Sequence, residues 1–178
     1  MTYVSASEVR DLCGISPDEA GDWEIENHIP VAEEIVSKIL GKTFGTGTIE
    51  EKHFCYRRII LGKKPVISIE YVKYGSTELR ENSDFHVNYE NGIVVFHYEL
   101  SPYVPVYVKY SYGVEPTDFE RKMMAVLTGI LALSSRSYGE QVLKLGDFMV
   151  KYDAENGKIR ELVNVLERIM EQCVQHVF

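Results

Sequence analysis

Apolar residues recur at helical spacing in the first and last thirds of the chain and alternate with polar ones in the middle, which divides the sequence into helical and strand-forming parts. Ser5-Ala6-Ser7-Glu8 has the spacing of a capping box and predicts a short helix to about Leu12, stopped by Gly14. Ser16-Pro17-Asp18-Glu19 supplies a capping hydroxyl, a proline and a carboxylate, and predicts a second start. From there Trp23, Ile25, Ile29, Ala32, Val36, Ile39 and Leu40 follow near helical spacing up to Gly41. Pro30 lacks an amide donor and predicts a kink or break near His28 to Pro30, with Val31 to Leu40 the firmer helix.

Nine of twelve tyrosines fall between Tyr56 and Tyr112 among Val, Ile and Phe, a strand composition. Predicted strands are Ile49 to Leu61, Val66 to Tyr74, Asp84 to Asn88, Ile93 to Tyr98 and Val104 to Tyr112. Asn91-Gly92 suits a two-residue turn and makes the surrounding strands antiparallel. After Gly113, Pro116-Thr117-Asp118-Phe119-Glu120 opens another helix, whose Phe119, Met123, Val126, Leu127, Ile130, Leu131 and Ser134 predict the most buried helix of the molecule. An extended segment, Val142 to Tyr152, turns at Gly146-Asp147. A last helix carries Ile159, Leu162, Val163, Leu166, Ile169, Met170, Cys173 and Val177 on one stripe. The fold class expected is α+β: a bundle of about three to four helices (residues 1–48 and 113–178) with an inserted antiparallel β-sheet region (49–112), together one domain.

Composition narrows the chemistry. With 178 residues, 45% hydrophobic and 26% charged, the chain is long enough to bury roughly 70% of its unfolded surface. Its longest mainly apolar stretch, Met123 to Leu133, is too short for the roughly 20 residues a bilayer crossing needs, so no membrane partner is expected. The first residues lack a basic, apolar leader, which places synthesis in the cytoplasm. Cys13, Cys55 and Cys173 are too few and too far apart for a disulfide framework or a zinc ribbon and read as small core residues. Net charge is −8, and residues 1–50 alone hold 3 bases against 10 acids. No basic face for gripping a phosphate backbone is visible.

No complete catalytic constellation is present. Gly41-Lys42-Thr43 has the end of a phosphate-binding loop, but Val36 stands where its first glycine belongs, so Gly41 reads as a helix stop. His53 and Cys55 share a strand face, and His86 and His97 are placed to meet across a hairpin. Neither pair has the further ligands of a zinc site. No nucleophile elbow or cysteine signature appears, and the acidic pairs Glu33-Glu34 and Glu50-Glu51 read as solvated surface. No cofactor and no enzymatic activity are expected. Strand tyrosines such as Tyr107 and Tyr110 either cover a sheet face or furnish a partner interface.

The order of motifs resembles the head-to-tail connector (adaptor, neck) proteins of tailed phages and prophages. The resemblance is carried by Leu40-Gly41-Lys42-Thr43-Phe44, Ile60 to Ile69 with its Pro65-Val66-Ile67-Ser68-Ile69, Phe85-His86-Val87, Gly92-Ile93-Val94, Val106 to Gly113 followed by Pro116-Thr117-Asp118, and Lys144 to Tyr152. It implies a structural virion protein at the head–tail junction. Such a protein is a homo-oligomeric ring, commonly of twelve copies, beneath the portal protein, meeting a tail-side neck, stopper or tail-terminator protein and letting DNA pass without specific binding. On that reading Tyr71, Tyr74, Tyr107 and Tyr110 form a subunit interface. Lys144, Leu145, Asp147, Phe148, Val177 and Phe178 dock portal or tail, and Asp18, Glu19, Asp22, Glu24, Glu26, Glu33 and Glu34 line an acidic passage. Two other readings stand beside it: a protein-interaction module without a viral role, and a small metal-dependent hydrolase built on His53, Cys55, His86 or His97.

Overall fold

The computed structural model describes residues 2–135, 141–145, 147–152 and 156–175. The fold is α+β and divides into two compact units, one of residues 1–40 and 116–178, the other Gly41–Glu115.

The first unit is helical. α1 (Ala6–Cys13) starts on a complete capping box between Ser5 and Glu8 and stops at Gly14 in the left-handed region. The second start comes later than Ser16. Glu19 does accept the Ser16 N–H, but residues 17–19 make only a turn. α2 runs Asp22–Leu40, where Glu24 repeats the same chemistry on the Gly21 N–H. α2 also continues through Pro30, against expectation. Pro30 lies on the exposed side, and Ile25, Ile29, Ala32, Ile35 and Val36 seat both halves in one core, so tertiary burial outweighs the missing bond. α3 (Asp118–Ser134), capped reciprocally by Thr117 and Glu120, is buried almost all round and packs against α1, α2 and α4 (Gly157–Gln175). Between α3 and α4 lies an antiparallel hairpin, β8 (Gln141–Leu145) and β9 (Phe148–Tyr152).

The second unit holds two antiparallel sheets around one core. β1 (Gly47–His53), β7 (Val106–Tyr112), β3 (Val66–Tyr74) and β4 (Thr77–Leu79) form the larger sheet in the order β1-β7-β3-β4. β2 (Arg58–Ile60), β6 (Ile93–Phe96) and β5 (Phe85–Asn88) form the smaller, in the order β2-β6-β5. The single strand expected over Ile49 to Leu61 is therefore two, in different sheets. Phe54 and Tyr56 are exposed at the break, and Ile59 re-enters the core. The Asn91-Gly92 turn is also longer than two residues. Asn88 pairs with Ile93, which leaves four residues in the loop, and only Gly92 takes positive φ while the Asn91 N–H caps Asn88 Oδ1. Gly113 sits where two loop segments cross. A Cβ there would lie 1.8 Å from the Gly45 carbonyl oxygen, so no other residue fits.

Candidate assembly surfaces

Strand alternation sorts the four tyrosines. On β7, Val106, Val108 and Tyr110 point into the core, and Tyr107, Lys109 and Ser111 point out. Register then places Lys52, Tyr107 and Lys73 in one outer row and Glu50, Lys109 and Tyr71 in the next. Lys52 Nζ lies 5.9 Å from the Tyr107 ring centre and 5.2 Å from that of Phe54, and Lys73 Nζ lies 4.1 Å from that of Tyr71. The Tyr71 hydroxyl donates to Glu50, and Lys109 pairs with Glu70 at 2.7 Å. Tyr71 and Tyr107 thus belong to a mixed-charge outer face.

The other two do not share that face. Tyr74 accepts the Ser101 N–H at 3.0 Å. Tyr110 is a correction, because its side chain is fully buried and offers nothing to a neighbour. Its hydroxyl donates to Glu51 Oε1 and accepts the Lys63 N–H. Burial first and the carboxylate second push its pKa upward. Glu51 also accepts the Gly62 N–H, and His53 Nε2 lies 2.9 Å from its other oxygen. This tyrosine, carboxylate and imidazole tie β1, β7 and the β2–β3 loop together, a polar network with a structural use. Glu51 corrects the reading of Glu50-Glu51 as solvated surface: it alternates with Ile49 and His53 on the inner side of β1, opposite Val108, and its side chain is only 17% exposed.

The histidines and cysteines are dispersed. Cys13 is buried, its thiol pushed up to about 11 by desolvation, and Cys55 is half-buried against the sheet core. The side chain of Cys173 lies outside the described residues. His86 and His97 do meet, stacked with ring centres 5.8 Å apart, and both are exposed. Among the described residues no three His, Cys, Asp or Glu side chains are grouped to hold a metal ion.

The acidic set of the helical unit is largely occupied. Arg10, itself mostly buried, donates to Asp22 Oδ1 at 2.7 Å and to the carbonyls of Ile15 and Ala20. Lys158, at the start of α4, donates to the Gly14 carbonyl and to both oxygens of Glu19. That bond, with the Ser16 N–H, holds the Glu19 pKa near 2. Glu33 accepts the Tyr3 N–H, Glu24 caps α2, and Glu34 pairs with Lys38. Asp18 and Glu26 are exposed. Four of the seven expected lining residues, Glu19, Asp22, Glu24 and Glu33, therefore serve the unit's own loops and caps. Arg10 and Lys158 are what sequence reading missed, since neither lies within a local motif that contains its partners. Charge is nonetheless segregated: residues 41–115 contain 9 bases and 9 acids, so 19 − 9 bases against 27 − 9 acids leave the whole −8 on the helical unit.

The expected docking set also divides. Lys144 and Asp147 are exposed, but Leu145 is buried on the inner face of the hairpin with Leu143 and Val150, so it supports the ribbon from beneath. The Phe148 side chain, Val177 and Phe178 lie outside the described residues. An open groove of about 480 Å³ runs along α1, α3 and α4, lined by Leu12, Val126, Leu162, Val165 and Ile169 with Lys122 and Glu161.

Among solved structures, the chain is similar to one in the neck of an empty gene transfer agent particle determined with sixfold symmetry. The two align over 92% of this chain and 88% of that one, at 12% identity and a TM-score of 0.53. It has the fold of a particle-neck protein. A chain in the virion of the native gene transfer agent particle aligns over 92% of this chain and 89% of that one, at 10% identity and a TM-score of 0.50. No protein family and no curated protein matches this chain in sequence. The neck fold spans both units, so the β unit is part of the shared architecture. No helix among the described residues is long and apolar enough to cross a membrane.

Proposed function

We propose that this protein is a structural neck component of a tailed, phage-like particle, an adaptor that assembles as a ring between the portal and the tail and leaves a passage for DNA. The observation that carries the reading is a fold shared over 92% of the chain with a protein of a particle neck. Three features are in keeping with it. Trp23, Tyr103, Met149, Tyr56 and Phe54 are exposed and are available as contact residues for neighbouring chains. Charge is concentrated on one unit, and a net −8 repeated around a ring opposes phosphate adhesion, so duplex DNA slides instead of sticking. The titratable groups that do cluster, Glu51, His53 and Tyr110, spend their hydrogen bonds on backbone and on one another, which suits scaffolding.

Deleting the gene in the producing cell tests the reading. The expected outcome is accumulation of heads without tails, restored when the chain is supplied from a second copy. Normal tailed particles from the deletion strain would overturn it. Binding of the purified chain to duplex DNA at physiological salt with a Kd below about 10⁻⁶ M, tighter than ordinary non-specific contact, would overturn the sliding role.

A further inference from the structure

We infer that neighbouring copies in the ring meet through the outer face of the β8–β9 hairpin of one copy and the outer stripe of α2 of the next. The inference rests on the ring reading above and names its contact. A closed ring requires two different surfaces of one chain that fit each other. Two copies of a unit carrying −8 repel, and a contact that sets a cationic surface of one against carboxylates of the other offsets that repulsion.

The hairpin supplies the cationic surface. Its inner face is buried through Leu143, Leu145 and Val150, and its outer face presents Val142, Lys144, Met149 and Lys151. Val142 stands opposite Lys151 and Lys144 opposite Met149, so apolar and cationic groups alternate diagonally across these four positions, with the acid Asp147 at the turn beyond them. Val142 is 50% exposed and Met149 73%, a costly display for a ribbon of two strands.

α2 supplies the counterpart. Opposite its buried face the helix exposes Trp23, Glu26, Val31 and Glu34, and Trp23 is 74% exposed. The helix as a whole carries five acids and one base. Each surface therefore offers two apolar groups; the hairpin adds two cations, and the helix stripe adds Glu26 and Glu34, the latter already engaged by Lys38 on the same stripe, so that Lys144 and Lys151 meet a net negative charge. The spacing also fits. Glu26 and Glu34 lie about 12 Å apart along the helix axis, and the diagonal Lys144 and Lys151 lie about 8 Å apart at the backbone, a gap their flexible stems span. Met149 and Val142 then meet Trp23 and Val31, burying an aromatic and a thioether at the centre with ion pairs around them.

Sedimentation velocity and native mass measurement on the full chain, alone and with portal rings, test this. Lys144→Glu with Lys151→Glu is expected to raise the concentration for half-assembly at least tenfold, and Glu26→Lys with Glu34→Lys to do the same. The chain carrying all four changes is expected to assemble as the parent does. Parent rings that tolerate either reversal, or a fourfold variant that folds but stays unassembled, would overturn the contact and leave the ring reading standing. A parent that is monomeric at every concentration and on portal would overturn the ring reading and the contact together. A second measurement is independent of charge reversal. The Trp23→Cys, Met149→Cys chain, oxidised after assembly, is expected to give a ladder of covalent oligomers beyond the dimer, and assembled rings without such a ladder would refute the pairing.

Discussion

Gly129 lies in the middle of α3, where glycine costs about 1 kcal/mol of helix stability relative to alanine. Replacing it by alanine would ordinarily return that amount. Here the added Cβ would lie 2.8 Å from Cys13 Sγ and 3.3 Å from both Cys13 Cβ and Ile15 Cδ1, inside the 3.5–4.0 Å at which such atoms attract. Cys13 and Ile15 are buried and have little room to give. Overpacking of this kind costs about 1–3 kcal/mol. The sum predicts that Gly129→Ala is neutral to destabilising by about 2 kcal/mol. Cys13→Ala removes the sulfur and with it the worst contact. In that background Gly129→Ala should gain back helix propensity, giving a coupling of about 1–2 kcal/mol across the double-mutant cycle. Urea unfolding followed by circular dichroism at 222 nm reads this out, because the four helices of the described residues lie in the unit that contains both positions. At a slope near 2 kcal/mol/M the coupling moves the midpoint by roughly 0.5–1 M. A Gly129→Ala chain more stable than the parent, or a cycle that closes to zero, would refute the account of why α1 and α3 approach so closely.

The Glu19–Lys158 pair predicts an acid-sensitive contribution. The carboxyl pKa is lowered by folding to about 2, so the stability it brings is complete above the ordinary carboxylate range and is lost as pH falls from about 4.5 to about 2. Solvent screening of these half-exposed groups limits the effect to about 1 kcal/mol, and Lys158→Met should flatten the parent's stability profile in that window. Tyr110→Phe strips a hydroxyl from Glu51 and from the Lys63 N–H and is expected to cost about 1–3 kcal/mol. Tyr107→Phe, on the outer face, should stay within about 0.5 kcal/mol in the same denaturation experiment. Gly113→Ala drives a Cβ into the Gly45 carbonyl and should abolish the near-ultraviolet dichroism of the tyrosines in the β unit, a loss beyond about 4 kcal/mol. A folded Gly113→Ala chain would contradict the crossing of those two segments.

What could be read from the sequence was local. The capping box at Ser5 to Glu8, the strand Val66–Tyr74 and the heavily buried α3 all follow from side-chain period and end chemistry, and the structure has them where the pattern put them. Errors arose where tertiary packing decided. Pro30 stays helical because Ile25 and Ile29 before it and Ile35 and Val36 after it enter the same core. Ser16 and Glu19 form the hydrogen bond of a helix start, but the helix that follows waits until Asp22. The surface was less legible than the fold. Alternation with Val106 and Val108 does assign Tyr110 to the interior and Tyr107 to the exterior, so that division was available from the sequence. The engagement of Glu19 by Lys158, 139 positions away, was not, because a salt bridge at that separation leaves no periodic trace. The particle-neck likeness was legible as an order of short motifs, and the structure carries the same likeness at 12% identity.

The placement of the β unit between α2 and α3 fixes a sequence of events during synthesis. α1 and α2 leave the ribosome before α3, the helix against which both pack most, because α3 emerges only after residues 41–115 have been made. At about 5–20 residues per second that delay is on the order of 4–15 seconds. The intervening sheets have every strand pairing internal to their own segment and can mature in that time, while two amphipathic helices stay exposed to chaperones and to other nascent chains. Yield of this protein should therefore respond to translation speed over codons 41–115 more than over the rest of the message.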